Sequence, residues 1–247
     1  MRSSNPALGD ATFRDLAPAS STESMTIDGT VNKTALLLLL VIAPAFYVWR
    51  IFFSSGNPAA VMPWVLVGAI GGFIVAIVTA FKKEWAPATA PIYAVLEGLF
   101  LGGISATFEA RYHGIVIQAV ALTFGTLFCL LMAYKSRLIQ VTQNFRMGVF
   151  AATGAVALFY LVSIVLSFFK IQIPFVYGSG MVGIIFSIIV VAIAALNLVL
   201  DFDFIENGAE RGAPKYMEWY GAFALMVTLV WLYLEILRLL SKVRDRR

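Results

Sequence analysis

The chain has 247 residues, of which 60% are hydrophobic and 13% charged, with a formal net charge of +4. Soluble domains carry about 25% charged residues and are roughly half apolar, so this apolar excess does not fit one soluble core and the class is a polytopic membrane protein. The positive balance does not point to nucleic acid, because the charges fall in short clusters between apolar runs, the pattern that orients helices in a bilayer and draws anionic headgroups.

Residues 1–32 form a polar arm rich in Ser, Thr, Pro and Ala, with no apolar run near its start. It does not read as a secretory signal, and its composition predicts disorder. Residues 33–247 read as a seven-helix transmembrane domain that ends in a short basic tail. The apolar spans are predicted at 35–53, 59–81, 87–109, 115–134, 147–169, 176–200 and 217–240. Each is near the roughly 20 residues that a helix needs to cross a ~30 Å hydrocarbon core. The runs are long and do not alternate, which favours helices over strands. The fold class is therefore all-α, a polytopic membrane helix bundle. The polar breaks are short, as SSGNP (54–58) and ENGAERGAPK (206–215) illustrate, so successive helices run antiparallel.

Glycine and alanine recur inside the spans as GAIGG (68–72), GLFLGGISA (98–106) and GVFAATGA (148–155). Such runs predict close helix packing, with a glycine-lined path as the alternative. Lys and Arg set the orientation. With the N-terminus inside, the inner side holds Arg2, Arg14, Lys33, Lys82, Lys83, Lys135, Arg137, Arg146, Arg211 and Lys215, and the outer loops hold only Arg50, Arg111 and Lys170. The tail, with Arg238, Lys242, Arg244, Arg246 and Arg247, pulls the other way. Seven crossings put it outside, whereas six with one re-entrant segment would put it inside.

One cysteine, Cys129, lies in an apolar run, and one histidine, His113, lies in a polar break. A disulfide within the chain and a multi-histidine metal site are excluded. VYGSGM (176–181) lacks the G-x-S-x-G spacing of a nucleophile elbow, so the chain does not read as an enzyme. No lysine lies within the last apolar span, which argues against a retinal-type receptor.

The acids carry the functional signal. Glu97 sits in the middle of the third span, Glu235 in the last, and Asp201 and Asp203 end the sixth. An acid at the centre of a spanning helix costs about 2.5–3.5 kcal/mol on insertion scales and often marks an ion or proton path. Each has a plainer reading. Glu235 precedes Arg238 by three residues and suits an i,i+3 ion pair. Glu97 suits a protonated acid bonded to another helix. Asp201 and Asp203 suit solvated positions at the interface, although carboxylates are disfavoured at a helix C-terminus. Carboxylates held together share protons, and the same oxygens when ionised suit a hard cation such as Ca²⁺. Asp201 and Asp203 are the candidate calcium ligands, and no resident cofactor is required.

The seven spans, the acid that ends span six, the short charged loop after it and the final helix with LYLEILRLL together resemble the Bax inhibitor-like (transmembrane Bax inhibitor motif) family. The opening RSSNPALGDATF resembles a bacterial branch of it. The resemblance implies six helices around the last one, a pH-sensitive Ca²⁺ leak, and a pH-sensing pair of aspartates on helices six and seven. The family's Asp-x-Gln/Asn-x-Ile motif falls on Asp201-Phe-Asp-Phe-Ile205, with Asp203 in place of the amide. For the second acid, the local Leu-Asp pattern selects Glu235, whereas a gapless register through LRLL selects Thr228. Tyr216 and Glu235 stand about 28 Å apart along a helix, so Glu235 falls near the opposite membrane face if Tyr216 starts span seven beside Asp201. A sensor of Asp201 and Asp203 alone, or with Glu97, remains open.

Two functions follow. One is a pH-gated calcium (cation) leak in a bacterial inner membrane, N-terminus cytoplasmic, with lipid, calcium ions and protons as its partners. The other is a non-transporting regulator that binds other membrane proteins, such as a membrane protease.

Overall fold

The computed structural model describes residues 24–169 and 178–246. Residues 1–23 of the arm, Lys170, the first two residues of the predicted sixth span and Arg247 lie outside the described residues. Seven helices are long and apolar enough to cross a membrane. They are α1 (Ile27–Ser55), α2 (Met62–Phe81), α3 (Ala86–Arg111), α4 (Ile115–Lys135), α5 (Gln143–Phe168), α6 (Met181–Glu210) and α7 (Met217–Asp245). Short 3₁₀ turns at Pro58–Ala60 and Lys83–Trp85 lead into α2 and α3. The described residues hold no strand, only one isolated bridge between Ser24 and Pro214. An all-α bundle of seven helices long enough to span is thus the fold.

Local chemistry sets the helix ends. The Thr26 hydroxyl accepts from the Gly29 N–H at 3.0 Å and starts α1 inside the stretch read as arm. Gly56, at φ 61°, ends it by returning its N–H to the Phe52 carbonyl. Pro63 suits the first turn of α2. The Thr142 hydroxyl caps α5 through the Phe145 N–H at 3.2 Å.

α7 is the most buried span: 61% of its most apolar stretch is covered, against 17% for each of α1, α2, α4 and α5. A helix buried on all sides sits inside a bundle, and spans covered on one face turn the other to lipid. The exposed Leu39, Phe46, Phe73, Ile117, Phe128 and Leu161 fit that lipid-facing role.

The chain divides into two compact units. The first holds α1–α3 with Asp203–Val227, the end of α6 and the start of α7. Its seams run through small residues. A side chain at Gly98 would strike the Val41 carbonyl and the Pro44 ring, and one at Gly102 would strike the backbone of Ala45, so α3 lies against α1 at backbone distance. Gly68 does the same for α2 against Leu96 and Phe100 of α3. Val48, Phe52, Val61 and Ala106 form a buried apolar cluster between α1 and α3. The second unit holds Tyr112–Phe202 and Thr228–Arg247, that is α4, α5, most of α6 and the second half of α7. Its GVFAATGA run behaves differently, because Gly148 and Gly154 have open space within 4 Å where a side chain would stand.

Candidate functional site

Asp201 lies in the last third of α6 and is 5% exposed. The Thr228 side chain of α7 hydrogen-bonds its carboxylate, and Oδ2 is buried with no partner. One turn earlier on the same face, the Asn197 side-chain N–H groups donate to Thr153 Oγ1 of α5 and to the Ile193 carbonyl, both at 2.8 Å. Tyr134 of α4 closes over Phe202 with ring centroids 5.9 Å apart. Three helices of the second unit thus converge on a polar strip in an apolar wall, and only one of its members is an acid.

Asp203 is two residues on. Positions two apart on a helix do not share a face, and Asp203 is half-buried where Asp201 is buried. Its backbone carbonyl accepts from the Asn207 side chain at 2.6 Å. The two aspartates therefore do not present their oxygens as one chelate. Among the described residues, no three His, Cys, Asp or Glu side chains converge as a metal cage.

Glu97 is buried in α3, and the Tyr93 hydroxyl one turn earlier donates to its carboxylate. The partner is on the same helix, not on a neighbour. Gly72 of α2 faces its Oε2, and Tyr93 packs edge-on to Phe223 of α7 with centroids 5.1 Å apart. Glu97 and Asp203 belong to the first unit, Asp201 and Glu235 to the second.

Glu235 is 2% exposed and engaged. Tyr160 of α5 donates to its Oε1 at 2.9 Å, Arg238 donates to both oxygens at 2.9 and 3.1 Å, and the guanidinium also lies over the Tyr160 ring. The i,i+3 ion pair read from the sequence is present. Of the two registers for a helix-seven partner, Thr228 is the residue hydrogen-bonded to Asp201.

A heavily bonded acid, Glu218, does not stand out in the sequence. It sits in the first turn of α7 and is fully buried. The Thr26 N–H and hydroxyl donate to Oε1 at 2.9 and 2.8 Å, Lys215 Nζ lies 2.8 Å from Oε1, and Lys33 of α1 pairs with Oε2. Met25, 2% exposed, lies beside this clamp with its N–H on the Ala213 carbonyl at 2.6 Å. Lys33 and Glu218 are 185 residues apart. The only sequence signal was a lysine near the start of one apolar run and an acid near the start of another.

The basic tail is also occupied. Buried Lys242 donates to the Gly183 carbonyl and Ser187 Oγ of α6 at 3.1 and 2.9 Å. Arg244 donates to the His113 carbonyl at 2.7 Å and to Gln118 of α4 at 3.1 Å. Arg238, Lys242 and Arg244 are thus bonded within the second unit.

Comparison with known protein families matches residues 5–245 to the Bax inhibitor 1 like family. Searches of curated proteins and of solved structures returned no match.

Proposed function

The chain belongs to the Bax inhibitor 1 like family, and we propose that it is a pH-sensitive cation leak, with calcium as the ion carried and Asp201 as the group that opens and closes it. The observation that supports this reading is a carboxylate inside a membrane span with one oxygen bonded to Thr228 and the other unpartnered. An intramembrane acid is costly to keep unless it binds or moves something. Glu218 and Glu235 have resident lysines and an arginine; Asp201 has a hydroxyl. Gain or loss of one proton there changes the local charge by a full unit, which biases how α6 packs on α7. Glu97, buried beside Tyr93, is the second acid on this reading, and Glu235 is an ion-paired brace. The protein acts as a channel and not an enzyme, in a bacterial inner membrane with its N-terminus cytoplasmic. The lysine and arginine bias of the first three inner segments supports that orientation.

The test is flux. Full-length protein in liposomes loaded with a calcium dye is expected to pass Ca²⁺ at a rate that changes across about pH 6 to 8. Asp201→Asn is expected to flatten that profile. Flux indifferent to both pH and the substitution removes the mechanism.

One observation favours a second reading, a non-transporting regulator of other membrane proteins. Gly148, Ala151, Gly154 and Ala155 of α5 are exposed small residues on the protein surface. Small-residue faces of this kind let another membrane helix approach closely. Photo-crosslinkers placed at Ala151 and Ala155 that capture one membrane protein, with no flux in liposomes, would favour it.

A further inference from the structure

The end of α4 is shaped for an amphiphile. Phe128, Cys129, Met132 and Ala133 share one face of the helix and line a groove of about 610 Å³ that is open along one side. That volume falls within the ~300–1,000 Å³ of small-ligand pockets. Phe128, Cys129 and Met132 are exposed, so the described residues leave the groove uncovered. Its end comes from how the helix stops. The Leu138 N–H returns to the Ala133 carbonyl and the Arg137 N–H to the Tyr134 carbonyl, both at 3.0 Å, with Arg137 at φ 59° in the left-handed position that glycine usually fills. This closure turns the chain back, and Leu138 lines the same groove as Ala133.

Depth and charge name the occupant. α4 runs for 21 residues, Ile115–Lys135, which is about 31 Å of helix against a ~30 Å hydrocarbon core. Its last residue therefore stands at headgroup level, and the wall from Phe128 to Ala133 covers about 8 Å of the apolar zone beside it. Lys135 and Ser136 line the polar end. The Ser136 hydroxyl donates to the Met132 and Ala133 carbonyls at 2.8 and 3.2 Å. Among the described residues that line the groove, Lys135 alone is charged, and it is exposed. No acid lines the groove, and the chain has no Asp or Glu between Ala110 and Leu200. An ammonium at that depth, at the end of an apolar wall, matches a phosphate that carries acyl chains. A zwitterionic headgroup brings a second positive charge to the lysine, whereas an anionic headgroup does not.

We propose that this groove binds one anionic phospholipid, its phosphate on Lys135 and an acyl chain along Phe128, Cys129, Met132 and Ala133. The assignment is independent of the leak reading.

Cys129 is the chain's single cysteine and lines the groove, so its thiol reports occupancy. The test titrates full-length protein in non-ionic detergent micelles with phosphatidylglycerol or phosphatidylcholine. Native mass spectrometry counts the lipid retained, and an uncharged apolar maleimide alkylates Cys129. One phosphatidylglycerol per chain and a saturable, several-fold slowing of alkylation are expected, with phosphatidylcholine doing neither at the same concentration. Lys135→Gln is expected to need about five-fold more phosphatidylglycerol. Ala133→Trp, which fills the groove, is expected to abolish retention, and Lys82→Gln, an exposed lysine of the first unit, to leave it unchanged. Equal retention of both lipids, unchanged affinity in Lys135→Gln, or full retention in Ala133→Trp leaves only annular lipid and overturns the proposal. Displacement by an equimolar fatty acid overturns it too, as does a disulfide between two copies through Cys129 that phosphatidylglycerol does not suppress. Lys135→Gln, at an exposed position, still decides the matter if Ala133→Trp does not fold.

Discussion

Replacing Glu218 by alanine removes the acceptor at the centre of the first unit. The carboxylate is fully buried and takes four donors: the Thr26 N–H at 2.9 Å, the Thr26 hydroxyl at 2.8 Å, Lys215 and Lys33. A buried N–H left without a partner costs about 1–3 kcal/mol. Breaking a fully buried ion pair costs about 3–5 kcal/mol, but the Lys33 side chain is 20% exposed and can turn toward water, so its share falls well below that range. Lys215 is 51% exposed and contributes no more than a surface pair, roughly 0–1 kcal/mol. The sum is on the order of 3 kcal/mol, which for a chain of this length lowers Tm by about 6–12 °C. Thermal unfolding followed by circular dichroism in detergent reads it directly. Glu218→Gln keeps an oxygen for Thr26 and loses the charge, so about half the drop is expected. Adding Lys33→Met to Glu218→Ala is expected to cost less than the two single changes summed, because the stranded ammonium disappears with its partner. An alanine variant within about 1 °C of the parent, or strictly additive losses in the double variant, would refute the view that this clamp fastens α1 to α7.

Other outcomes follow from the same contacts. Gly102→Ala puts a methyl group into the Ala45 backbone and is expected to cost about 1–3 kcal/mol, whereas Gly148→Ala, in open space within a helix, is expected to be neutral or to gain up to about 1 kcal/mol; paired Tm measurements decide. Arg238→Ala leaves Glu235 buried with only the Tyr160 hydroxyl and is expected to destabilise more than Tyr160→Phe does, read on the same unfolding curves. Tyr216 lies between α6 and α7, where burial and then the nearby Glu84 carboxylate hold its phenol above the ordinary value of 10.0. The unfolded chain therefore ionises this phenol first, so its contribution is present below about pH 10 and is lost as pH rises beyond it. Tyr216→Phe is expected to reduce the alkaline loss of Tm without changing it at pH 7.

The seven spans could be read from the sequence because insertion into hydrocarbon is a local requirement: about twenty apolar residues in a row suffice, whatever the neighbours do. The seams at Gly68 and at Gly98 and Gly102 were legible for a related reason, since small residues at helix spacing permit close approach. GVFAATGA has the same composition yet meets nothing at Gly148 or Gly154. Composition states what a face permits, not what lies against it. Helix α1 begins at Ile27 within the predicted arm, because Thr26 finds both a cap at Gly29 and an acceptor at Glu218, and the second of these lies in the last span.

The acids divide along the same line. That Glu97, Asp201, Asp203 and Glu235 stand in or beside spans is written in the chain, and so is the local pair of Glu235 with Arg238, one helical turn apart. Which acid is saturated and which has an oxygen to spare depends on residues that reach it from other helices: Thr228 for Asp201, Tyr160 for Glu235, Lys33 for Glu218. Linear order thus determined a membrane protein of seven spans with acids at stated positions along them. Only the folded helices decided what reaches each acid from the other spans, because pairing requires side chains to meet in space, and Lys33 and Glu218, or Tyr160 and Glu235, are far apart along the chain.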